Sequence, residues 1–385
     1  SVAITGASVD YTRAGLTGNL GHAAALANAQ ARAISSGAHP DQPNSPLDNF
    51  LVAMANTSSA ATLQKDLAIF DATKQYSDTQ SSATSASNAL TNMQSCGGEG
   101  ADKASLNPVA QGNCDWIRYT YSDGTRQSGG QKERSNGLTF GRQQEFAPHI
   151  YLGASGDYDQ FEFSGANASS EGSRFAAGGI AKYVDGRLFG SVSMVASYDW
   201  ADGTRLFNLP EDPSVSSTHI ARSNHAAVTV ATRLRFGYSF DFNTFDVTPM
   251  ADIDIPVIHD FGYRERGGGQ FDLRSDAGTN VLVDVHPSVQ IGSHVQYRGT
   301  DIRGYVEPGV RFQELDPTVR VGLADGFDSD FTTTLTDQRD RVVGTIAGGL
   351  IIDWSDQLES RLQCERDMGP TSQIQSLSAK AALKF

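Results

Sequence analysis

Nowhere does this sequence approach the roughly 18 consecutive apolar residues that a membrane-spanning helix needs, so it contains no such helix. Basic residues are also few: 30 Lys and Arg stand against 44 Asp and Glu, a formal charge of -14. That balance, without any basic stripe, argues against a nucleic-acid partner. The eight His residues lack metal-ligand spacing, so neither a metal nor another cofactor is implied. Cysteine is scarce. Of the three, Cys96 and Cys114 bracket a Gly- and Asn-bearing loop. A disulfide closing it would contribute about 3 kcal/mol in the chain-entropy model. That pairing requires an oxidising compartment, and the alternative is two free thiols.

What the sequence does have is alternation. Residues 226–242 read AAVTVATRLRFGYSFDF. One set of alternate positions carries Val228, Val230, Leu234, Phe236, Tyr238, Phe240 and Phe242; the other carries Thr229, Arg233, Arg235, Ser239 and Asp241. Successive strand side chains point to opposite faces, so one face is apolar with an aromatic end and the other is polar. A lipid-facing strand of a membrane barrel has this form over about 9 to 11 residues. A strand of a soluble sandwich also alternates, but usually over about 3 to 10 residues. The mean hydropathy of -0.34 is no objection, since lumen-facing residues cancel lipid-facing ones.

Twelve such runs recur after Cys114, at 114–122, 136–145, 149–158, 173–184, 187–200, 226–242, 245–258, 279–293, 301–313, 342–354, 357–365 and 374–385. The fifth places Leu188, Val192, Met194, Tyr198 and Trp200 on one face, and the ninth sets Ile302, Val306 and Phe312 against Arg303, Glu307 and Arg311. Cys364 shares the parity of Leu358 and Leu362 and reads as a small residue on a lipid face. Long polar connections at 123–135, 159–172, 201–221, 259–278, 314–341 and 366–373 follow the odd runs; tight turns such as Asp185-Gly186 follow the even ones. Sorting of loops by length is the habit of an outer-membrane barrel, with long external loops and short periplasmic turns.

The region before Cys114 is different. Residues 1–13 read as a strand and a turn, and 16–37 as an Ala-rich helix between Thr17 and Gly37. Short helices are expected at 47–55 and 59–70. Residues 77–94, SDTQSSATSASNALTNMQ, hold almost nothing large enough for a core. They fit either a flexible linker or a slim helix inside a narrow polar pore. Ser1 is not an initiator Met, which is consistent with a fragment of a longer chain.

Taken together, the helical preamble, the small-residue helix, the twelve runs and the terminal Phe385 resemble the C-terminal translocator of a type V autotransporter. Local phrases with this look are CDWIRYTYSDG (114–124), RLRFGYSFDFNTFDVTPMADIDIP (233–256) and IAGGLIIDWSDQLESRLQCERDMG (346–369). The resemblance implies an all-β transmembrane barrel of 12 antiparallel strands in the outer membrane, with an α-helix in the lumen and short helices before it. It divides the chain into a passenger tail and spacer (1–45), a helical linker (46–112) with its pore helix near 81–94, and the barrel (113–385). It also implies as partners outer-membrane lipid, barrel assembly machinery, periplasmic chaperones and the chain's own N-terminal passenger; the translocator itself would be a monomer and not an enzyme. Helices at 16–70 are expected outside or at the pore mouth. A stand-alone plugged channel or porin is the competing reading.

Several residues are candidates on this reading. Leu383 and Phe385 form a terminal assembly signal, although Lys380 stands where the usual pattern has Gly. Arg233, Arg235, Glu307 and Arg311 face inward by parity, as do Asp284 and His286. Charges in a narrow lumen fit a network bracing the barrel against its helix, or an ion-selective ring. Some relatives cleave the passenger at an Asn-Asn pair; Asn88 and Asn92 stand four apart on one helical face, and polar lumen contacts are expected instead. The stretch GFDSD at 326–330 is expected to be a solvated acidic loop rather than an esterase motif.

Overall fold

Alternating strands become a stable wall in lipid only when every backbone edge finds a partner, and here the sheet closes on itself. The computed structural model describes residues 11, 16, 18–36, 45–56, 60–70, 77–94, 96, 112–126, 131–165, 167–208, 218–242, 244–297, 299–336 and 339–385. The barrel strands are β1 (Cys114–Arg126), β2 (Gln131–Ala147), β3 (Ile150–Gly165), β4 (Ala168–Asp185), β5 (Leu188–Asn208), β6 (Thr218–Tyr238), β7 (Asp246–Asp260), β8 (Gly278–Val281 with Val283–Tyr297), β9 (Thr300–Glu314), β10 (Val342–Asp353), β11 (Leu358–Met368) and β12 (Gln373–Lys384). Each pairs antiparallel with its chain neighbour, and β1 closes the ring on β12 from Cys114↔Lys384 to Thr125↔Gln373.

The wall is inside out relative to a soluble protein. Along β5, Val192, Met194, Tyr198 and Trp200 are exposed while Ser191, Ser193, Ser197 and Asp199 are buried. Aromatics gather at both rims. Phe175 lies 5.4 Å from Trp200 and 4.8 Å from Tyr158 near one, and Tyr238 pairs with Phe240 and Phe242 with Phe245 at the opposite one. Such girdles bound the lipid band of outer-membrane barrels. At the turn end, Gly186 and Gly299 take positive φ, +59° and +86°, as tight hairpins require. Cys364 is exposed on the lipid side and makes no disulfide.

Several expected loops are strand instead. Much of 123–135, 159–172 and 201–221 continues the β-ladder, and β5 pairs β6 from Leu188↔Tyr238 out to Asn208↔Thr218. Beyond the lipid a paired strand has water on its outer face, so its ladder persists where the apolar alternation stops. β6 correspondingly begins eight positions before Ala226, and it ends at Tyr238 rather than Phe242.

Among the described residues four α-helices precede the barrel: α1 (Gly18–Ser35), α2 (Pro46–Ala55), α3 (Ala60–Leu67) and α4 (Ser77–Asn92). α2 opens on an N-cap, with Ser45 accepting from the Asp48 amide at 3.3 Å and Pro46 in the first turn. The connections after β7 and β9 supply strands Tyr263–Arg264, Leu273–Ser275, Thr318–Leu323 and Thr333–Thr336, which form a separate four-stranded sheet. Helices α1 to α3 pack on it. Their shared core joins Leu26, Leu47, Phe50, Leu67 and Phe70 to Phe207, Phe271, Leu273, Leu323, Phe327 and Leu335. The loop 326–330 is only partly solvated: Ser329 and Asp330 are exposed, as expected, whereas Phe327 is buried in the core shared with α1. Apart from Tyr11, which is buried, the residues of the strand expected within 1–13 and the boundary residues Thr17 and Gly37 lie outside the described residues.

Candidate functional site

The barrel lumen is filled along one side by α4. Because its residues are small, the helix can lie directly against the wall formed by β4 to β7. Ala86, Ala89, Leu90 and Met93 meet three apolar residues of the inward faces, Ile180, Val195 and Ala231. Gly178 permits this approach: a Cβ there would lie 2.4 Å from the Met93 methyl. Ala83 makes a second contact with Ile258 and Leu282.

Hydrogen bonds then fix the helix axially. Ser82 donates to Asp199, Ser85 Oγ donates to Asp159 Oδ2 at 2.7 Å, and Ser87 Oγ donates to Asp254 Oδ2 at 2.7 Å. Each carboxylate is also held by an arginine. Arg174 Nε donates to Asp199 Oδ1 at 2.8 Å and sits 4.0 Å from Asp159; Arg233 donates to both oxygens of Asp254 at 2.6 Å. Arg233 also donates to Thr91 Oγ1 at 2.6 Å and to Ser87 Oγ at 2.7 Å. Toward the loop end, Arg126 pairs with Glu133 at 2.6 Å and donates to Gln80 Oε1 and Thr84 Oγ1. Toward the turn end, Asn92 Nδ2 donates to Thr139 Oγ1 at 2.9 Å and Gln94 Nε2 to Ser191 Oγ at 3.0 Å. Cys96 and Cys114 form a disulfide with Cα atoms 5.9 Å apart, tying the segment after α4 to the first residue of β1. The helix begins at Ser77 and runs from the loop end to the turn end; the expected pore helix began near residue 81.

The other candidate charges line the lumen away from the apolar contact. Arg235 binds Asp252 through two bonds of 2.6 Å. Glu307 accepts from Ser288 at 3.0 Å, and Arg311 pairs with Asp367 at 2.6 Å. Asp284 is held by Arg339 at 2.8 and 2.9 Å, while His286 Nε2 lies 2.8 Å from Thr345 Oγ1. These partners give Asp284 and His286 separate structural duties. A void of about 660 Å³, partly open to solvent, separates Thr91 and Gln94 from Arg118, Arg311, Arg361 and Glu365. Another of about 600 Å³ borders Ser81, Ser85 and Asn88. Among the described residues no group of three or more His, Cys, Asp or Glu could hold a metal ion. At the strand end, Leu383 and Phe385 are exposed on the outer face, with the Arg142 guanidinium 5.0 Å from the Phe385 ring centroid.

Asp159, Asp199, Asp254, Arg126 and Arg174 are the lumen residues that reading the sequence missed. Asp199 and Asp254 carried a usable signal, since both share the inward parity of their strands. Asp159 and Arg126 carried none, because they sit where the lipid-facing alternation has already ended.

The family model "Autotransporter beta-domain" matches residues 115–365, more than half of the 385-residue chain. The structure is similar to the translocator domain of the autotransporter NalP from Neisseria meningitidis, with a TM-score of 0.60 at 11% identity over 83% of this chain and 99% of that one. It is also similar to the β domain of the Bordetella autotransporter BrkA, with a TM-score of 0.52 at 16% identity over 71% of this chain and 100% of that one. A search of curated protein sequences gives no significant match.

Proposed function

Because the chain belongs to the autotransporter β-domain family, and so is an outer-membrane translocator of type V secretion, we propose that it delivers an N-terminal passenger to the cell surface and then remains as its plugged anchor. The observation that carries this reading is the direction of α4. Its first residue lies at the loop end, which faces outward in outer-membrane barrels, so the chain leading into the helix emerges on the external side. Residues 1–45 then serve as passenger tail and spacer and 46–112 as linker, ahead of the barrel at 113–385. The hydroxyl, carboxylate and guanidinium ladder is the brace that keeps α4 seated once transport ends. Its chemistry is binding, without a covalent step or a nucleotide. Barrel assembly machinery would read Leu383 and Phe385, and periplasmic chaperones would deliver the unfolded chain.

A tag placed before Ser1, in a chain directed to the periplasm, tests the proposal beside a heat-modifiability gel that reports barrel folding. A folded barrel with the tag reachable from outside the cell is the expected result. A folded barrel whose tag is reachable only from the periplasm would make the protein a plugged channel instead.

A further inference from the structure

The external sheet offers α1 something more selective than an apolar patch. Two side-chain amides of α1, eleven residues apart, each make a two-way bond with the backbone of the connection after β9. Asn19 Nδ2 donates to Thr336 O at 3.0 Å while the Thr336 amide donates to Asn19 Oδ1 at 3.0 Å. Gln30 Nε2 donates to Asp328 O at 2.9 Å while the Asp328 amide donates to Gln30 Oε1 at 2.9 Å. A primary amide used this way presents one donor and one acceptor, as a neighbouring strand would. Gly326 leaves space for the second pair, since a Cβ there would lie 2.6 Å from Gln30 Oε1. Further along the chain, Leu47 N donates to Gln270 Oε1 at 3.2 Å, and Arg205, bound to Glu265 at 2.5 and 2.9 Å, also donates to Ile69 O at 3.0 Å.

We propose that this loop surface is a built-in receptor for the chain's own exported segment, residues 18–70, and acts as a latch that captures the segment as it leaves the lumen. The idea rests on the translocation reading and deepens it. A flexible chain inside a pore moves either way, and only a site with different affinity at the two ends can bias it. The receptor half stands at one end alone, and its amide pairs and apolar seats match this segment. Capture outside therefore supplies direction without a nucleotide.

The test uses the full chain with a tag before Ser1, in cells, with two variants remote from the lumen: Gly326→Val, and Asn19→Ala combined with Gln30→Ala. Barrel folding is read from heat-modifiability, export from the time at which the tag reaches the surface, and docking from trypsin cleavage of intact cells at Arg32 and Lys65, which are exposed but helical. With barrels folded in both variants, tag arrival should slow by at least about tenfold and cleavage accelerate by a similar factor, since the double variant removes all four amide bonds. Unchanged arrival and unchanged cleavage would overturn the latch. Faster cleavage with unchanged arrival would overturn it too, leaving a docked cap without a part in transport. A wild-type tag that stays periplasmic would sink the translocation reading and the latch with it, an outcome distinct from failure of the latch alone.

Discussion

The pore helix and the external cap come from neighbouring parts of one chain, yet they are held by opposite chemistries. α4 is small and polar, and its seat combines one narrow alanine and leucine stripe with serine-to-carboxylate bonds. The cap keeps Phe50, Phe70, Phe271 and several leucines fully buried. The difference follows from room. A twelve-strand lumen leaves width for a helix without large side chains, so specificity must come from directed polar contacts; outside the barrel, volume is free and apolar burial can dominate. The segment seated in the lumen thus carries its fastening in hydroxyl groups, and the segment seated on the loop sheet carries it in rings.

The sharpest way to break this comparison is to cut a ring from the cap. Phe271→Ala should destabilise the cap by about 3 to 5 kcal/mol, because the ring is almost wholly buried against Phe50 and Phe207. Hydrogen exchange should show α1 and α2 opening while α4 and the barrel stay protected; simultaneous loss of protection in α4 would mean that the two regions are one unit. Arg233→Met makes the reciprocal attack. It strips donors from Asp254, Ser87 and Thr91 together, and breaking one side of such a buried pair costs up to about 3 to 5 kcal/mol, less where lumen water can enter. The expected signature is a larger ion current through the purified barrel in planar bilayers, with cap protection unchanged. No change in current would show that the alanine and leucine stripe suffices to hold the plug.

A smaller effect should come from the external loops. Burial by itself would raise the pKa of Asp340, but bonds from Thr371 and Ser372 outweigh it and hold the carboxyl below its ordinary value. Its contribution is therefore present above the unfolded carboxylate range near about pH 4 and is lost as pH falls through the lower folded value. In Asp340→Asn that increment should be missing at neutral pH. Loop proteolysis should then differ between wild type and variant near neutrality and converge at the most acidic pH; a constant difference would assign the loop's order to other contacts.

Most of the barrel was legible in advance, and the residues explain why. Lipid forces Leu188, Val192, Met194 and Tyr198 onto one face, and a closed backbone ladder forces the same period on all twelve strands, so strand number follows from alternation alone, whereas much of the expected loops 123–135, 159–172 and 201–221 is strand. The slim composition of residues 77–94 similarly marked the helix that could enter a lumen. Tertiary structure decided what periodicity cannot encode. Polar residues facing a lumen look alike in sequence, and whether Ser85 meets Asp159 or Asp157 depends on strand register and tilt. The cap depends still more on the folded chain, because its bonds join Asn19 to Thr336 and Gln30 to Asp328, segments about three hundred residues apart. No local pattern reports such pairings: the sheet that receives α1 takes shape only once the barrel has brought the connections after β7 and β9 side by side.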